Sequence, residues 1–213
     1  MKIINPATAE TIADVASDSK ETLSEKFAQL QAGQVKWSQV SIDERVQTLL
    51  RFHDLLDTHK DDLSKTLTSE VGKPLQQSYN ELNGARNRIK WLSENAKAYL
   101  SNDWMVEQEG MGEKIVYEPL GVVCNISAWN YPYLVGVNVF VPALLAGNAV
   151  MYKPSEFSTL TGLKIQELLY AAGVPKDAFA LAAGAREVGE ALLHMDFDGY
   201  FFTGSYATGN YIY

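Results

Sequence analysis

Val122-Val123-Cys124-Asn125-Ile126, Ala149-Val150-Met151-Tyr152, Phe179-Ala180-Leu181-Ala182 and Tyr200-Phe201-Phe202 are four short, almost unbroken apolar runs. Between them lie three stretches of helical length and pattern, 133–145, 160–172 (closed by Gly173) and 187–194. A strand that stays apolar on both sides of its pleat must be covered on both faces. Strands of that kind alternating with helices predict an α/β fold, a doubly wound parallel sheet. In such a sheet ligands bind beyond the carboxyl ends of the strands. The last run leads into Gly204-Ser205 and the start of a further helix, with no later strand to complete the sheet.

Upstream of Gly121 the pattern changes. The first hundred residues read as helices. Leu23, Phe27, Leu30, Gln34 and Trp37 fall three and four apart, on one helical face. Ser41 followed by Glu44 forms a capping box ahead of the stripe Ile42, Val46, Leu49, Leu50 and Leu56. A third helix carries Leu63, Leu67 and Val71 and stops at Gly72-Lys73-Pro74, where Gly permits a left-handed cap and Pro prevents regrowth. The fourth repeats Leu82, Ala85, Ile89, Leu92, Ala96 and Tyr99. Trp104, Val106, Ile115, Val116 and Tyr117 then flank Gly110-Met111-Gly112, a pattern that predicts a β-hairpin turning at those glycines. An isolated hairpin is marginal in water, so this one is expected to lean on a partner. The expected division is a helical region over 1–101, a hairpin over 102–120 and the alternating half over 121–213.

Composition narrows the function. With 46% hydrophobic residues among 213 the chain can bury a core. A net charge of −8 disfavours partners such as nucleic acid or anionic lipid, which need a basic face. The longest apolar region, 133–150, is broken by Gly136, Asn138, Pro142, Gly147 and Asn148 and fails as a membrane span. No leading stretch reads as a signal peptide, so a cytoplasmic protein is expected. Cys124 is the single cysteine, and His53, His59 and His194 have no ligand spacing, so no metal site is expected.

Three segments fall where strands of this reading end. Ser127-Ala128-Trp129-Asn130-Tyr131-Pro132 follows the first. An Asn just past a strand can aim its amide at a developing oxyanion, and Asn and Pro also suit a plain turn. Tyr152-Lys153-Pro154-Ser155-Glu156 follows the second. Its Lys and Glu can hydrogen-bond a ribose, or form a solvated surface pair. Phe202-Thr203-Gly204-Ser205-Tyr206-Ala207-Thr208-Gly209 follows the fourth. Gly204 and Ser205 open a helix whose free N–H groups suit a phosphate, and a plain N-cap Ser fits equally. The spacing is not the common G-x-G-x-x-G fingerprint.

In this order and at these separations, Trp129-Asn130-Tyr131-Pro132, Lys153-Pro154-Ser155-Glu156 and Phe202-Thr203-Gly204-Ser205 resemble the aldehyde dehydrogenase superfamily. Asn5-Pro6-Ala7-Thr8, Glu70-Val71-Gly72-Lys73-Pro74 and Pro119-Leu120-Gly121-Val122-Val123 extend the likeness over essentially the whole chain. The resemblance implies an oxidoreductase that converts an aldehyde and NAD(P)+ to a carboxylic acid, with a Rossmann-like cofactor half. It matches Asn130 to the oxyanion-holding Asn, and Lys153 and Glu156, with Ser155 between them, to the adenosine ribose site. Gly184 looks like the glycine that admits the adenine, and Gly204 and Ser205 match the helix start that holds the pyrophosphate. Trp129 is similar to a wall of the catalytic tunnel beside the cofactor, though packing alone would also justify it. A carboxylate at Glu156 favours a free 2′-hydroxyl, hence NAD, with NADP as the alternative. The 102–120 hairpin resembles the arm through which subunits pair, which implies a homo-oligomer.

In that family a cysteine attacks the aldehyde and a glutamate activates water, and both lie beyond the phosphate-binding helix. Cys124 sits within a strand buried on both faces, where a thiol behaves as a small core hydrophobe. The expectation is therefore a truncated member, succinic-semialdehyde-like or similar, from a frameshift, an early stop or a split gene. It would be inactive alone, and the apolar surface left bare would favour association. Alternative: a noncatalytic nucleotide-binding or subunit-pairing protein with the same fold. Succinic semialdehyde, betaine aldehyde and simple aliphatic aldehydes all remain as substrates.

Overall fold

The structure is a computed structural model that describes residues 1–108 and 110–213. Two strands, β1 (Lys2–Ile4) and β2 (Thr11–Asp14), pair as an antiparallel hairpin, which corrects the expectation that the first hundred residues are helical. Strands of three and four residues are too short for a period of two to be read, and only Ile3 among them is buried.

Four helices follow. In α1 (Lys20–Gln39) the buried face is Leu23, Leu30, Gly33 and Trp37. Gly33 is required there, because a Cβ would run into the backbone carbonyl of Asp177. The predicted capping box opens α2 (Ile42–Thr58): the Glu44 N–H donates to Ser41 Oγ at 3.3 Å, and the Ser41 N–H donates to the Glu44 carboxylate at 3.2 Å. As expected, α3 (Lys60–Val71) stops at Gly72, with φ +80°. A 25-residue helix, α4 (Leu75–Tyr99), completes the set.

The hairpin pairs β3 (Asp103–Gln108) with β4 (Met111–Ile115). Its turn lies earlier than Gly110-Met111-Gly112. Gln108 faces Met111 and Glu107 faces Gly112, so Met111 and Gly112 are strand residues, while Gly110 takes φ +84°. Both strands are largely exposed, and Trp104, Met105, Met111 and Ile115 stand in solvent.

The alternating half follows its sequence pattern closely. Its order is β5 (Val122–Ile126), α5 (Pro132–Leu145), β6 (Ala149–Lys153), a 3₁₀ turn at Glu156–Ser158, α6 (Thr159–Ala172), β7 (Phe179–Leu181), α7 (Arg186–Leu193), β8 (Gly199–Phe202) and α8 (Tyr206–Ile212). The strands form one parallel sheet in the order β7-β6-β5-β8. Succession runs outward from β5 through β6 to β7, then returns to place β8 on the other side of β5. A topological switch therefore lies between β5 and β8, where an open α/β sheet splays its loops apart.

Alternate strand residues face opposite layers. Val123, Val150, Tyr152, Phe179 and Leu181 join the core built by α2 to α6. Val122, Cys124, Ala149, Met151 and Ala180 pack against Leu23 and Leu30 of α1 and Val188 and Leu192 of α7. The N-terminal helices are thus a cover of the sheet. Trp37 Nε1 seals the joint by donating to the Leu144 carbonyl at 2.9 Å. The two-sided cover holds for β5, β6 and β7 but not for edge strand β8, where Tyr200 and Phe201 remain 38% and 41% exposed. Among the described residues no helix is long and apolar enough to cross a membrane.

Candidate functional site

A cleft of about 830 Å³ opens at the carboxyl ends of β5, β6 and β8, the place a doubly wound sheet reserves for ligands. Of the predicted site residues, Trp129, Asn130, Lys153, Ser155, Glu156, Gly204 and Ser205 all line it. Segments separated by some seventy-five residues of sequence meet there because parallel strands point the same way.

Asn130 sits in the exposed loop between β5 and α5. Its Oδ1 accepts the Tyr131 N–H at 3.1 Å. A backbone N–H can only donate, so it fixes the amide oxygen on that side and turns the NH2 group away. Among the described residues that NH2 has no hydrogen-bond partner, which leaves it as a donor free for the cleft. Trp129 packs edge-on against Phe157, with ring centroids 6.4 Å apart, and the two rings form an apolar wall.

Lys153, the last residue of β6, is 5% exposed, and its Nζ donates to the Pro154 carbonyl at 3.1 Å. Burial lowers its pKa, opposed by the charge of Glu156. This is not the solvated surface pair that the sequence left open. Ser155 Oγ caps the 3₁₀ turn through the Phe157 N–H and donates to Glu156 at 3.2 Å, so the Glu156 carboxylate is held at the cleft mouth.

Ser205 is the N-cap of α8, its Oγ accepting the Thr208 N–H at 3.1 Å. At Gly204 a Cβ would collide with the Phe202 ring, so packing alone requires glycine. Gly184 does not line the cleft. It lies in the turn before α7 with φ +152°, and a Cβ there would strike Val188. Cys124 is buried in β5, and burial pushes its thiol up to about 12, so it holds its proton at neutral pH. Among the described residues no cluster of His, Cys, Asp and Glu could hold a metal ion.

Sequence reasoning missed the cleft's far wall, where Arg186 donates to Glu190 at 2.7 Å and its guanidinium lies 5.9 Å from the Tyr211 ring. It also missed two buried carboxylates that hold the loops. Glu70 accepts from the N–H groups of Leu160 (2.5 Å) and Thr161 (2.9 Å) and from the Thr161 hydroxyl (2.9 Å), capping α6 just beyond the Ser155–Glu156 turn. Glu81 does the same for α5. Each stands on a helix face otherwise read as apolar, three residues after Leu67 and four before Ala85. A charge in that register was the available signal.

Burial raises the Glu70 carboxyl to about 7 against the pull of its three donors. In the unfolded chain it titrates near 4.3, so at intermediate pH only the folded chain keeps the proton. The sign follows: Glu70 favours folding fully below about pH 4, and that contribution declines by up to roughly 1.4 kcal/mol per pH unit as pH rises toward 7. Urea unfolding of the parent and of Glu70→Gln across this range should give stabilities whose difference changes with pH. A constant difference would show that the carboxyl titrates alike in both states.

A model of the aldehyde dehydrogenase family matches residues 1–213. The chain belongs to the aldehyde dehydrogenase family. Similar relatives include the mitochondrial succinate-semialdehyde dehydrogenase of Arabidopsis thaliana, 36% identical over 91% of this chain and 37% of the relative. The betaine aldehyde dehydrogenase of Vibrio vulnificus strain CMCP6 is 34% identical over 97% of this chain and 43% of the relative. Among solved structures, an aldehyde dehydrogenase from Brucella melitensis biovar abortus 2308 has a TM-score of 0.94 at 31% identity, covering 99% of this chain and 44% of that one. A betaine aldehyde dehydrogenase mutant from Staphylococcus aureus in complex with NAD+ has a TM-score of 0.93 at 30% identity, covering 100% of this chain and 44% of that one. The chain thus spans between 37% and 43% of the length of these curated relatives. Its sheet and covering helices have the Rossmann-like α/β fold of the aldehyde dehydrogenase structures they match.

Proposed function

We propose that this chain is the cofactor-binding segment of an NAD+-dependent aldehyde dehydrogenase that oxidises an aldehyde to a carboxylic acid. The observation that carries the reading is the convergence of Asn130, Lys153, Glu156 and Ser205 on one cleft at the carboxyl ends of β5, β6 and β8. The residues present fit a nicotinamide dinucleotide. Lys153 offers a buried ammonium and Glu156 a carboxylate, a donor and an acceptor for the two hydroxyls of a ribose. Gly204 and Ser205 stand at the α8 start and would face the pyrophosphate. The bound cofactor would supply the hydride acceptor.

Each protein group then has a role set by its chemistry. The Asn130 NH2 donates to an oxyanion forming on the substrate carbon; a donor fixed in advance loses nothing to reorganisation when the charge appears. Trp129 and Phe157 give that side of the cleft an apolar wall. Glu156 repels a 2′-phosphate, which favours NAD over NADP. The nucleophile is not Cys124, whose thiol remains protonated in the core. These 213 residues supply no other cysteine, so the purified chain alone should form no NADH with any aldehyde. The exposed β3–β4 hairpin, with its bare Trp104 and Met105, is the surface through which subunits would pair.

Calorimetry tests the reading on the chain itself. NAD+ should bind, NADP+ more weakly, and Lys153→Met should weaken NAD+ binding at least about tenfold, as expected for a lost charged donor. Equal NAD+ affinity in parent and variant would overturn the assignment of Lys153.

A further inference from the structure

Among the described residues the loop that carries Asn130 has no strand partner beyond Ser127, whose N–H still joins the sheet by donating to the Lys153 carbonyl at 3.0 Å. Trp129, Asn130 and Tyr131 are all exposed. A loop of that kind would ordinarily be mobile, yet a preorganised donor has to be still. What holds it lies underneath. Lys73, two residues before α4, and Glu81, on its second turn, form an ion pair whose side chains are 10% and 0% exposed. Glu81 Oε1 accepts the Tyr133 N–H at 2.8 Å, at the buried start of α5. The Lys73 ammonium also donates to the Asn130 backbone carbonyl and lies 4.3 Å from the centre of the Tyr131 ring. The pair therefore grips the loop twice, at Asn130 from one side and at the first turn of α5 from the other.

From this geometry we infer that Lys73 and Glu81 are the positioning residues of the site: their buried pair fixes the 129–132 loop and with it the direction in which the Asn130 amide faces the cleft. The inference rests on the reading of Asn130 as the oxyanion donor. Neither residue touches the cleft, so both act through the loop. The second grip follows from chemistry: Lys73 has more donors than one carboxylate needs, and it spends the surplus on the Asn130 carbonyl and the Tyr131 face.

The decisive variant is the double substitution Lys73→Met and Glu81→Gln. It removes both charges together, so neither is left buried without a counter-ion, and the introduced amide keeps an acceptor for the Tyr133 N–H. The ¹⁵N relaxation of the purified chain is the readout. In the parent, the N–H groups of Asn130 and Tyr131 should have order parameters near 0.85, falling below about 0.6 in the double variant, while Lys153 and Glu156 remain near 0.85. Unchanged order at Asn130 and Tyr131 would overturn the inference. Equal loosening at Lys153 and Glu156 would overturn it too, since the pair would then support the fold at large. The oxyanion reading fails on a separate observation, unaltered turnover of Asn130→Ala within a complete aldehyde dehydrogenase, so the two failures are distinguishable.

Discussion

Glu81→Ala should cost the chain about 3–5 kcal/mol of folding stability, the range found when one member of a buried ion pair is removed. The loss has several sources. The Lys73 ammonium, 10% exposed, is left without its carboxylate. The Tyr133 and Leu134 N–H groups at the start of α5 lose their acceptor. A buried donor without a partner costs about 1–3 kcal/mol on its own. Burial raises the Glu81 pKa, opposed by Lys73 and the two backbone donors, so removing the pair disturbs a balance of buried charge. Asp43→Ala supplies the contrast. It breaks the Lys97–Asp43 pair, whose side chains are 67% and 69% exposed, and exposed pairs are worth at most about 1 kcal/mol. Urea unfolding should separate the two variants by their midpoints at unchanged slope. A Glu81→Ala midpoint no lower than that of Asp43→Ala would mean that solvent reaches the pair and screens it.

The same contrast explains what the sequence could and could not disclose. The sheet was legible because β5, β6 and β7 are covered on both faces, so Val122, Val123, Val150 and Met151 stand in unbroken apolar runs that admit few other readings. Their order of succession then placed the carboxyl-end loops together, while the roles expected of Asn130, Lys153, Glu156 and Ser205 came from the family resemblance, because each segment taken alone suited a plain turn, a surface pair or a helix cap equally well. The capping box at Ser41 was equally plain, because it is made within four residues. What escaped was whatever depends on long-range packing. The β1–β2 hairpin is too short to show a period. The turn of the β3–β4 hairpin was misplaced because Gly110 and Gly112 both suit a turn, and only the register shows that Gly112 lies in a strand.

Glu70 and Glu81 were illegible as site components for another reason. A carboxylate on a helix is ordinarily solvated, and nothing local says which one will be carried inward. Both are carried inward here to satisfy N–H groups at the starts of α6 and α5, ninety and some fifty residues away. The Ser155–Glu156 turn and the Asn130 loop are thus anchored on α3 and α4, outside the Rossmann-like half. This gives the helical region a task beyond covering apolar surface.

Phe140→Ala should be comparably damaging through packing alone, at about 3–5 kcal/mol. Phe140 is fully buried in α5, with its ring 5.6 Å from those of Tyr152 and Phe179 and 6.2 Å from that of Phe52. The residue therefore joins β6 and β7 to α2 and α5. Truncation removes its transfer free energy and leaves a cavity whose walls are other aromatic rings, set edge to face and poorly able to collapse. Set against a typical domain stability of about 5–15 kcal/mol, a loss of this size leaves a substantial unfolded population at modest denaturant concentrations. Phe140→Leu keeps most of the volume and should cost less than half as much. The two variants can be ranked by urea midpoint, with Val35→Ala, at an exposed position of α1, as the neutral reference. If Phe140→Ala and Phe140→Leu unfold together, the cavity has closed, and the aromatic cluster is softer than its geometry implies. If they separate as expected, the interface between α5 and the sheet cannot close over the lost ring.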